Sequence, residues 1–443
     1  MKNGRTTLEN QLLITSVNLL LLFTLSCSKE EIQKLSPSED IKNVSVFQLY
    51  SGRYCKLEKP GSDLDINCEF SASLKDPTSE TCKKALEEGY RTIRFPDQNK
   101  RMKICKSFEG KDLSERESLR FFVLGDLGVG ENKSKNHHQQ KVANAMHHIC
   151  PPRSNERDWG CDFALMAGDL IYPSGVSDVF DSALNRRFDD IYKSFGSFPF
   201  YGSLGNHDYE GSVKALIEYK HFSDRWRVLD LFFSVPSLPS WANIRVIDSN
   251  GFVTGSPAPA TESAQITWLN QNCPENDGWH FLLGHHPTAS SGKHGGNKEV
   301  LDSLYQLHEE CAVDVYFAGH DHHLEHLSSS DIFDVFINGG GGARTKSANR
   351  RESDFSLTSS SGEKLSKTQN FVAATHGFII VDLTPQSMTA SIYDVHALPY
   401  DERAERFETS VTRQDFAYRC KMDFERRADG CIPIQALAAK EDK

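Results

Sequence analysis

The sequence predicts an α/β domain in the middle of the chain, and two observations carry this prediction. From Leu119 onward, short apolar runs alternate with segments of helical periodicity, as they do in α/β proteins. Several of these runs end at a glycine that is followed by side chains able to bind a metal ion. Because strand carboxyl ends in one sheet region converge on a crevice, these side chains are expected to line one site.

The alternation predicts the individual elements of this domain. Strands are expected at 119–125, 162–167, 198–204, 243–248, 279–284, 313–318, 332–338, 377–383 and 388–395. Helices are expected at 137–149, 177–194, 262–272 and 297–310. Residues 343–370 are rich in Ser, Lys, Arg and Thr, and they are expected to form an exposed loop insertion.

Composition limits the classes of function. The chain has 443 residues, a formal net charge of −11 and 38% hydrophobic residues, which suffices for one large domain and a smaller one. The acidic balance argues against a nucleic-acid-binding surface, which would be basic. No segment reaches the ~20 apolar residues that a membrane-spanning helix needs.

The first 27 residues have the pattern of an export signal. Lys2 and Arg5 give a positive start, and Leu12 to Leu25 is largely apolar but too short to span a membrane. The end of this stretch, Thr24-Leu25-Ser26-Cys27, resembles a bacterial lipobox, which would place a lipid anchor on Cys27. Ordinary signal cleavage nearby is the alternative. Both predict an exported protein, in the periplasm or at the cell surface, and the first predicts attachment to the membrane.

The cysteine count agrees with export to an oxidising compartment. Of the 11 cysteines, setting aside Cys27 leaves an even number that can form disulfides. Local loops and neighbouring element ends suggest the pairs Cys150–Cys161, Cys420–Cys431 and Cys273–Cys311. The remaining cysteines would staple a small N-terminal region with open connectivity; they are Cys55, Cys68, Cys82 and Cys105.

Four segments follow from these patterns. Residues 1–27 are the signal segment, and residues 28–115 are a polar tether followed by the small cysteine-containing region. Residues 116–398 are the α/β domain that carries the ligand-type side chains. Residues 399–443 are charged and are expected to form a C-terminal appendage.

The ligand-type residues follow five predicted strands. Their motifs are Gly125-Asp126-Leu127-Gly128, Gly168-Asp169 with Tyr172, Gly205-Asn206-His207-Asp208, Gly284-His285-His286-Pro287 and Gly319-His320-Asp321-His322. Carboxylates, an amide oxygen, imidazoles and a phenol together suit Fe, Mn or Zn. The set is larger than one four-coordinate ion requires, which predicts two ions.

This order of motifs resembles the calcineurin-like metallophosphoesterases, and within them the purple acid phosphatases of the tartrate-resistant type. The general superfamily has a metal-binding histidine where this chain has Gly128, and Tyr172 appears instead, as in the purple enzymes. Similarity extends through residues 186–192 and Lys293-His294-Gly295, and it covers roughly residues 119–396. The resemblance implies a sandwich of two mixed β-sheets flanked by helices. The cysteine pattern adds a small disulfide-rich N-terminal region outside the part that the resemblance covers.

The resemblance also implies a role for each residue of the constellation. A ferric ion would be held by Asp126, Asp169, Tyr172 and His322. A second, divalent ion (Fe, Zn or Mn) would be held by Asp169, Asn206, His285 and His320, so that Asp169 bridges the two. His207 and His294 would contact phosphate and protonate the leaving group. His286 stands where the family often has tyrosine, and it is either a substrate contact or a packed ring.

The implied activity is that of an acid phosphatase that hydrolyses small phosphomonoesters with a metal-bound hydroxide. Two cations would offset the charge that develops on phosphate, and a metal-bound water loses its proton near pH ~7 even on zinc. An imidazolium can then protonate the leaving group. The alternatives are a phosphodiesterase or nucleotidase on the same scaffold, and a surface-binding lipoprotein with a structural metal site. The sequence leaves the oligomeric state open.

Other conspicuous residues are assigned structural roles. Asp208 and Asp321 are expected to support the ligand residues or to form turns rather than to bind metal. For His323 and His326, a structural role is favoured over a place at the rim of the site. Gly339 to Gly342 is expected to be backbone that passes close to the metals. The histidines expected to form an exposed helix face are His137, His138, His147 and His148.

Overall fold

The computed structural model describes residues 112–132, 135–154, 159–258, 260–274, 278–348 and 367–434, together with a few short segments outside these ranges. The described residues form two compact units. The larger lies within 110–177, 183–213 and 225–443, and the smaller combines the residues before 110 with 178–182 and 214–224. The predicted signal segment, Cys27 and the side chains of the four N-terminal cysteines lie outside the described residues.

The smaller unit contains short strands. Phe47–Gln48 pairs antiparallel with Tyr54–Cys55. Asp63–Asp65, Thr92–Pro96 and Met102–Lys106 form a three-stranded sheet, parallel at the first pairing and antiparallel at the second. Helix Val213–Glu218 and the 3₁₀ helix Tyr219–His221 follow later in the chain.

The first large sheet lies in the larger unit and has eight strands. In spatial order they are Trp226–Arg227, Phe200–Ser203, Phe163–Ala167, Leu119–Leu124, Gly377–Thr384, Ser387–Asp394, Tyr418–Asp423 and Ile432–Ile434. The first four strands in this order are parallel, and each later strand is antiparallel to its neighbour. The carboxyl ends of four parallel strands therefore meet at one edge of this sheet.

The second large sheet has seven strands. In spatial order they are Phe233–Ser234, Ala242–Val246, Trp279–Leu283, Val315–Ala318, Asp334–Asn338, Leu324–Ser328 and Thr368–Ala373. The four strands from Ala242–Val246 to Asp334–Asn338 are parallel, and the outer pairings are antiparallel. This sheet too presents parallel strand ends along one edge.

Apolar side chains of both sheets share one core, so the larger unit is a sandwich. The ring of Phe121 in the first sheet lies 6.3 Å from the rings of both Phe281 and Phe317 in the second. All three are fully buried. Aromatic pairs in such edge-on contact contribute about 0.5–1.5 kcal/mol beyond the area they bury. The predicted fold, a sandwich of two mixed sheets flanked by helices, is confirmed.

Helices cover the outer faces of the sandwich. The longest are Gln139–Ile149, Glu262–Gln271 and Lys298–Glu310. The last two begin at polar caps, since the side chains of Thr261 and Asn297 accept hydrogen bonds from backbone N–H groups of the first turn. Leu301 and Leu304 pack in a second apolar cluster on the outer face of the second sheet. Their spacing is that of an amphipathic helix.

The helix predicted at 177–194 is wrong over most of its length. The helical part is short, with an α-helix at Ser182–Leu184 that continues as a π-helix at Asn185–Asp189. Before it, the Asp178 side chain accepts a hydrogen bond from the Phe180 backbone N–H at 2.7 Å. Such local side-chain bonds offer the backbone an alternative to the helix.

The three disulfides predicted in the described part of the chain are confirmed. They join Cys150 to Cys161, Cys273 to Cys311, and Cys420 to Cys431. The last of these links the two final strands of the first sheet, Tyr418–Asp423 to the start of Ile432–Ile434. Residues 418–434 thus extend this sheet, although the sequence placed them in an appendage. In Tyr418–Asp423 the buried Tyr418, Cys420 and Met422 alternate with charged residues, which is the pattern of a strand with one buried face.

The predicted loop insertion at 343–370 is not exposed at its ends. Ala343 and Lys367 are buried, and the strand Thr368–Ala373 begins inside the predicted loop. Among the described residues, no helix combines the length and the apolar character needed to cross a membrane.

Candidate metal centre

Strand ends from both sheets deliver the predicted ligands to one place. Asp126, Asp169 and Asn206 follow three adjacent parallel strands of the first sheet. His285 follows Trp279–Leu283 in the second sheet, and His320 and His322 follow the neighbouring strand Val315–Ala318. The site therefore has the position that parallel sheets give to their ligands, at the carboxyl ends of the strands.

Three of the predicted residues surround the Tyr172 phenol. Its oxygen lies 2.8 Å from Asp126 Oδ1, 2.7 Å from Asp169 Oδ2 and 3.0 Å from His322 Nε2. His322 Nε2 is also 3.1 Å from Asp126 Oδ1. One phenolic proton cannot be donated to two carboxylates at once. The crowding of three oxygens and a ring nitrogen around one point fits a cation of the type that accepts mixed O/N ligands.

A second group forms around His285. Its Nδ1 lies 2.8 Å from the carbonyl oxygen of Ala167, which can only accept a hydrogen bond, so Nδ1 carries a proton. Its Nε2 faces Asn206 Oδ1 and His320 Nδ1, each at 3.2 Å, and Asp169 Oδ1 at 3.5 Å. Asp169 thus presents one oxygen to each group. A carbonyl partner on the far nitrogen is also the usual way in which a metal-binding imidazole is oriented.

His322 has the same kind of partner. Its Nδ1 lies 2.8 Å from the carbonyl oxygen of Arg344, which leaves Nε2 directed at Asp126 and Tyr172. The two imidazoles are therefore held in a ligand-like orientation by backbone carbonyls.

The electrostatics of the site favour positive charge. Asp126 and Asp169 are almost completely buried. Burial opposes ionisation of Asp126, but His322 outweighs it and lowers the pKa of this carboxyl. Burial likewise opposes charge on His285, but Asp169 and Asp126 raise its pKa above the usual value. These buried carboxylates favour positive charge on the nearby imidazoles. Metal ions can supply the same positive charge in place of the protons.

The same environment disfavours ionisation of the Tyr172 phenol. Burial, followed by the charges of Asp126 and Asp169, raises its pKa well above the ordinary value. An anionic phenolate at this position therefore requires a strong positive charge among these oxygens.

Three of the predicted ligands have backbone conformations that L-residues rarely adopt. The φ angles of Asp126, Asp169 and His320 are 54°, 50° and 70°. Each such residue costs of order 1–3 kcal/mol, and such strain is concentrated at functional sites. Sheet packing on both sides of the strand ends holds these residues in place.

Glycine is required at two positions beside the ligands. Gly128 has φ +51°, and a Cβ there would lie 1.9 Å from the carbonyl oxygen of Leu170. The loop that carries Tyr172 therefore leaves no room for a histidine at this position. A Cβ on Gly339 would lie 2.9 Å from Asp126 Oδ2, so the prediction that Gly339–Gly342 runs close to the site is confirmed.

Asp208 holds two of the ligand loops together. Its carboxylate accepts hydrogen bonds from the backbone N–H groups of Gly205, Leu170 and Ile171 at 2.8–3.2 Å. Burial and the neighbouring Asp169 raise its pKa to about 7 despite these bonds. The predicted turn-forming role of Asp208 is confirmed.

Asp321 does the same for the loop of His294. It accepts hydrogen bonds from the Ser290 hydroxyl at 2.6 Å and from the backbone N–H groups of His294 and Gly295 at 2.9 and 3.0 Å. The side-chain bonds of Asp321 thus support a loop that lies 26–31 residues away in the chain, which agrees with the predicted supporting role.

Ser249 is a supporting residue that the sequence did not indicate. Its Oγ accepts hydrogen bonds from the backbone N–H groups of His285 and His286, and it lies 2.9 Å from His286 Nδ1. Ser249 is a common residue type on a short 3₁₀ helix, so only the folded structure reveals it. His286 is buried, and burial with the charge of His285 lowers its pKa to about 3. Its ring lies 4.7 Å from that of His320.

His207 and His294 lie at the rim of the site. The His207 backbone N–H donates to Asp169 Oδ1 at 2.9 Å, and its ring lies 4.7 Å from that of Tyr172. The His294 ring lies 4.5 Å from that of His320. Burial, followed by the charge of Lys346, lowers the pKa of His294, and Lys346 Nζ lies 3.0 Å from His294 Nε2.

A cleft of about 600 Å³ opens beside His294. It is lined by Ser291, Gly292, Lys293, Arg344, Thr345, Lys346 and Ser347. Three of these residues are cationic, and Lys346 is the one that also contacts His294. The cleft therefore presents positive charge beside the ligand groups.

Among the remaining histidines, the structure contradicts one prediction, that of an exposed helix face. His137, His138, His147 and His148 are half-buried, so the predicted exposed face is wrong. His137–His138 pairs as a strand with Glu131–Asn132, and the helix begins only at Gln139. His323 and His326 are fully buried beside Glu325 and Asp334, which agrees with the favoured structural role.

Comparison with known proteins agrees with this geometry. Residues 119–324 match the family described as Calcineurin-like phosphoesterase. Purple acid phosphatase 4 of Arabidopsis thaliana is 28% identical over 63% of this chain and 80% of its own length. Tartrate-resistant acid phosphatase type 5 of Homo sapiens is 28% identical over 51% of this chain and 73% of its own length.

Solved structures were compared as well. The structure of GAP50, described as the anchor in the inner membrane complex of Plasmodium, gives a TM-score of 0.49 at 21% identity, covering 63% of this chain and 85% of that chain. The sequence relatives, the matched family and the sandwich of two mixed sheets with its ligand-bearing strand ends lead to one assignment. Residues 119–324 form a calcineurin-like phosphoesterase domain, and the chain is similar to purple and tartrate-resistant acid phosphatases.

Proposed function

We propose that the chain is a phosphomonoester hydrolase, an acid phosphatase, whose centre holds two metal ions. The observation that carries this proposal is Asp169, whose two oxygens face two separate groups of ligand atoms. One group contains Tyr172 Oη and His322 Nε2, and the other contains Asn206 Oδ1 and His285 Nε2. A carboxylate shared in this way is suited to bridge two cations.

The two groups differ in chemistry, which supports a different ion for each. Asp126, Asp169, Tyr172 and His322 form the more anionic set and would hold a ferric ion. Asp169, Asn206, His285 and His320 contribute a neutral amide and two imidazoles and would hold a divalent ion, Fe, Zn or Mn. When bound, such ions supply a nucleophile of lowered pKa and positive charge that stabilises phosphoryl transfer.

The chain's own residues supply the remaining functions. His207 and His294 lie on either side of the ligand groups, where each ring could contact phosphate and give a proton to the departing alkoxide. Lys346 is placed to attract the phosphate charge and to orient His294. Asp321 fixes the backbone of His294, and Asp208 fixes the loops of Asp169 and Asn206.

Metal analysis combined with a visible spectrum tests the proposal. We expect at least two metal ions per chain, at least one of them iron, and hydrolysis of p-nitrophenyl phosphate under mildly acidic conditions. The matched substrate is bis-p-nitrophenyl phosphate, a diester with the same leaving group. One metal per chain at saturation, or faster hydrolysis of the diester, would contradict the proposal.

A nucleotidase is the second candidate, and the cationic cleft is the observation that favours it. Lys293, Arg344 and Lys346 line the cleft beside His294, and they would neutralise further phosphates or another anionic group on the substrate. Kinetics with a nucleoside monophosphate and the corresponding diphosphate would separate the candidates. A nucleotidase requires kcat/KM for the nucleotides to exceed that for p-nitrophenyl phosphate.

We also propose export with a lipid anchor on Cys27. The support is the apolar stretch of signal-peptide length before this cysteine and the even number of cysteines that remains. Wild-type protein should fractionate with membranes, and Cys27→Ser protein should be soluble. Equal membrane partitioning of the two would exclude this anchor.

A further inference from the structure

A second cluster of imidazoles lies outside the proposed metal centre. Its members are His138, His376 and His396, whose ring centroids lie 4.9–5.1 Å apart. One ligand nitrogen of each lies within 4.8 Å of the other two. His138 comes from the short strand before helix Gln139–Ile149. His376 and His396 flank the two strands of the hairpin formed by residues 377–394, so the fold gathers three separated histidines.

The orientation of His376 is that of a metal ligand. The ring is almost completely buried, and its Nε2 lies 3.0 Å from the carbonyl oxygen of Ala343. Because a carbonyl only accepts hydrogen bonds, Nε2 carries the proton and Nδ1 has a lone pair. That lone pair is directed into the cluster, where His396 Nε2 lies 2.9 Å away. A backbone carbonyl orients His285 and His322 in the same way at the proposed metal centre.

The charge state of the cluster is compatible with metal binding, which needs neutral imidazoles. Burial, followed by the charges of His138 and His396, lowers the pKa of His376 to about 3. Burial and the charge of Lys141 lower the pKa of His396, while Asp394 and Glu402 act in the opposite direction. His396 is exposed, so an ion can enter from solvent and a water can occupy a fourth position.

We propose that His138, His376 and His396 form a third metal site, for a single divalent transition-metal ion of the zinc type. Three imidazoles select Zn²⁺ and its neighbours over Ca²⁺ or Mg²⁺, which prefer oxygen ligands. Zn–N bonds of about 2.0–2.1 Å in a tetrahedron place the nitrogens roughly 3.4 Å apart. The cluster reaches this spacing with small shifts of the rings.

The ion would cross-link three segments of the larger unit. The His138 backbone N–H donates to Gly342 O, and His376 contacts Ala343 O. The Ala343 N–H in turn donates to Asp126 O at 2.9 Å, and Arg344 O accepts from His322. An ion in the cluster would therefore fix the backbone segment that contacts both Asp126 and His322.

Zinc stoichiometry of the full, tag-free chain tests this site. After equilibrium dialysis against micromolar Zn²⁺, the zinc bound per chain should be one ion lower in His396→Gln and in His138→Gln than in the wild type. The matched control is His148→Gln, a half-buried histidine on the neighbouring helix whose Nε2 contacts only the Val411 carbonyl in this structure. This control should bind as much zinc as the wild type.

Two outcomes would overturn the proposal. One is an unchanged zinc stoichiometry in both cluster variants, with circular dichroism showing that they fold. The second outcome comes from an experiment that needs no variant. Crystals of the unchanged chain, soaked in Zn²⁺, are expected to show an anomalous peak at the zinc edge between the three rings. A map with peaks at the proposed binuclear centre and none in the cluster would identify the cluster as hydrogen-bonded imidazoles alone.

Discussion

The Tyr172 hydroxyl lies 2.8 Å from Oδ1 of Asp126, although 46 residues separate the two in sequence. The contact exists because Gly128 and Tyr172 occupy adjoining loops, and the Tyr172 backbone N–H donates to the Gly128 carbonyl at 3.1 Å. This relationship distinguishes the chain from phosphoesterases that carry a histidine in place of Gly128. It also gives the most direct test of the proposed ferric ligand set.

Replacing Tyr172 by Phe removes one oxygen and keeps the ring. If the phenolate binds ferric iron, its visible charge-transfer band should vanish, and iron affinity should fall at least about tenfold, since even indirect partners of a metal contribute that much. Absorption spectra and iron titration measure both effects. Tyr209→Phe, which also removes a phenol, is the control and should keep the band. An unchanged spectrum in Tyr172→Phe would remove the tyrosine from the ligand set.

Metal content should separate the two halves of the centre. Asn206→Ala and His320→Ala each remove a ligand from the divalent group, so they should deplete mainly the divalent ion. Asp169→Asn changes the residue whose oxygens face both groups, so it should lower both metals. Plasma mass spectrometry of purified proteins measures each metal per chain. Equal loss of both metals in all three variants would contradict the assignment.

The sequence predicted most of this site because the ligand residues follow buried strands. Each apolar run, such as Phe163–Ala167, shows where a strand ends, and parallel strands bring their ends together. The three disulfides were also predictable. Cys150–Cys161 and Cys420–Cys431 each bracket a short loop, and Cys273 and Cys311 each follow a helical pattern at an element end. The local sequence pattern was sufficient to predict the position of a residue when that position is set by the strand that the residue follows.

Residues whose role depends on a distant partner were not predictable. Ser249 supports His285 and His286 across 36–37 residues, and nothing in its local sequence indicates this. The strands Leu324–Ser328 and Tyr418–Asp423 were missed because neither contains a continuous apolar run, and the second lies in a charged stretch. Pairing with neighbouring strands holds both in place. His138 was assigned to an exposed helix face, whereas pairing with Glu131 places it in a strand.

Asp321 should affect catalysis through the position of His294. Asp321→Asn replaces one acceptor oxygen by an N–H₂ group, which would face the N–H groups of His294 or Gly295. We expect kcat to fall about tenfold or more with little change in metal content, because one-ångström displacements of catalytic groups are costly. Steady-state kinetics measure kcat, and metal analysis shows whether the metal content changes with it. Loss of metal in parallel with kcat would instead indicate a role in the metal centre.

The Cys273–Cys311 disulfide should make a large contribution to stability. It closes a loop of 38 residues, for which chain entropy gives about 4 kcal/mol. The Cys273→Ser/Cys311→Ser double variant should lose about 2–4 kcal/mol in the free energy of unfolding, measured by urea denaturation. The double replacement avoids a single unpaired thiol. A variant as stable as the wild type would show that helix packing alone holds these element ends together.

Asp314 should contribute more to the stability of the folded state at acidic pH than at neutral pH. Burial raises its pKa to about 6, although the His280 backbone N–H donates to its Oδ2 at 2.8 Å and Arg427 Nη1 lies 3.2 Å away. The unfolded chain has the ordinary pKa of about 3.9. Between these two values the folded state binds more protons than the unfolded state. The contribution of this group to stability therefore decreases as pH rises from about 4 to about 6.

The raised pKa corresponds to about 3 kcal/mol between the two ends of this pH range. Asp314→Asn keeps an acceptor for the His280 N–H but does not titrate, so the variant should lack this part of the pH dependence. Unfolding free energies of both proteins, measured from pH 4 to pH 7, give the comparison. The stability difference between variant and wild type should grow in favour of the variant as pH rises. A difference that is constant across this range would mean that Asp314 ionises normally, with Arg427 compensating for its burial.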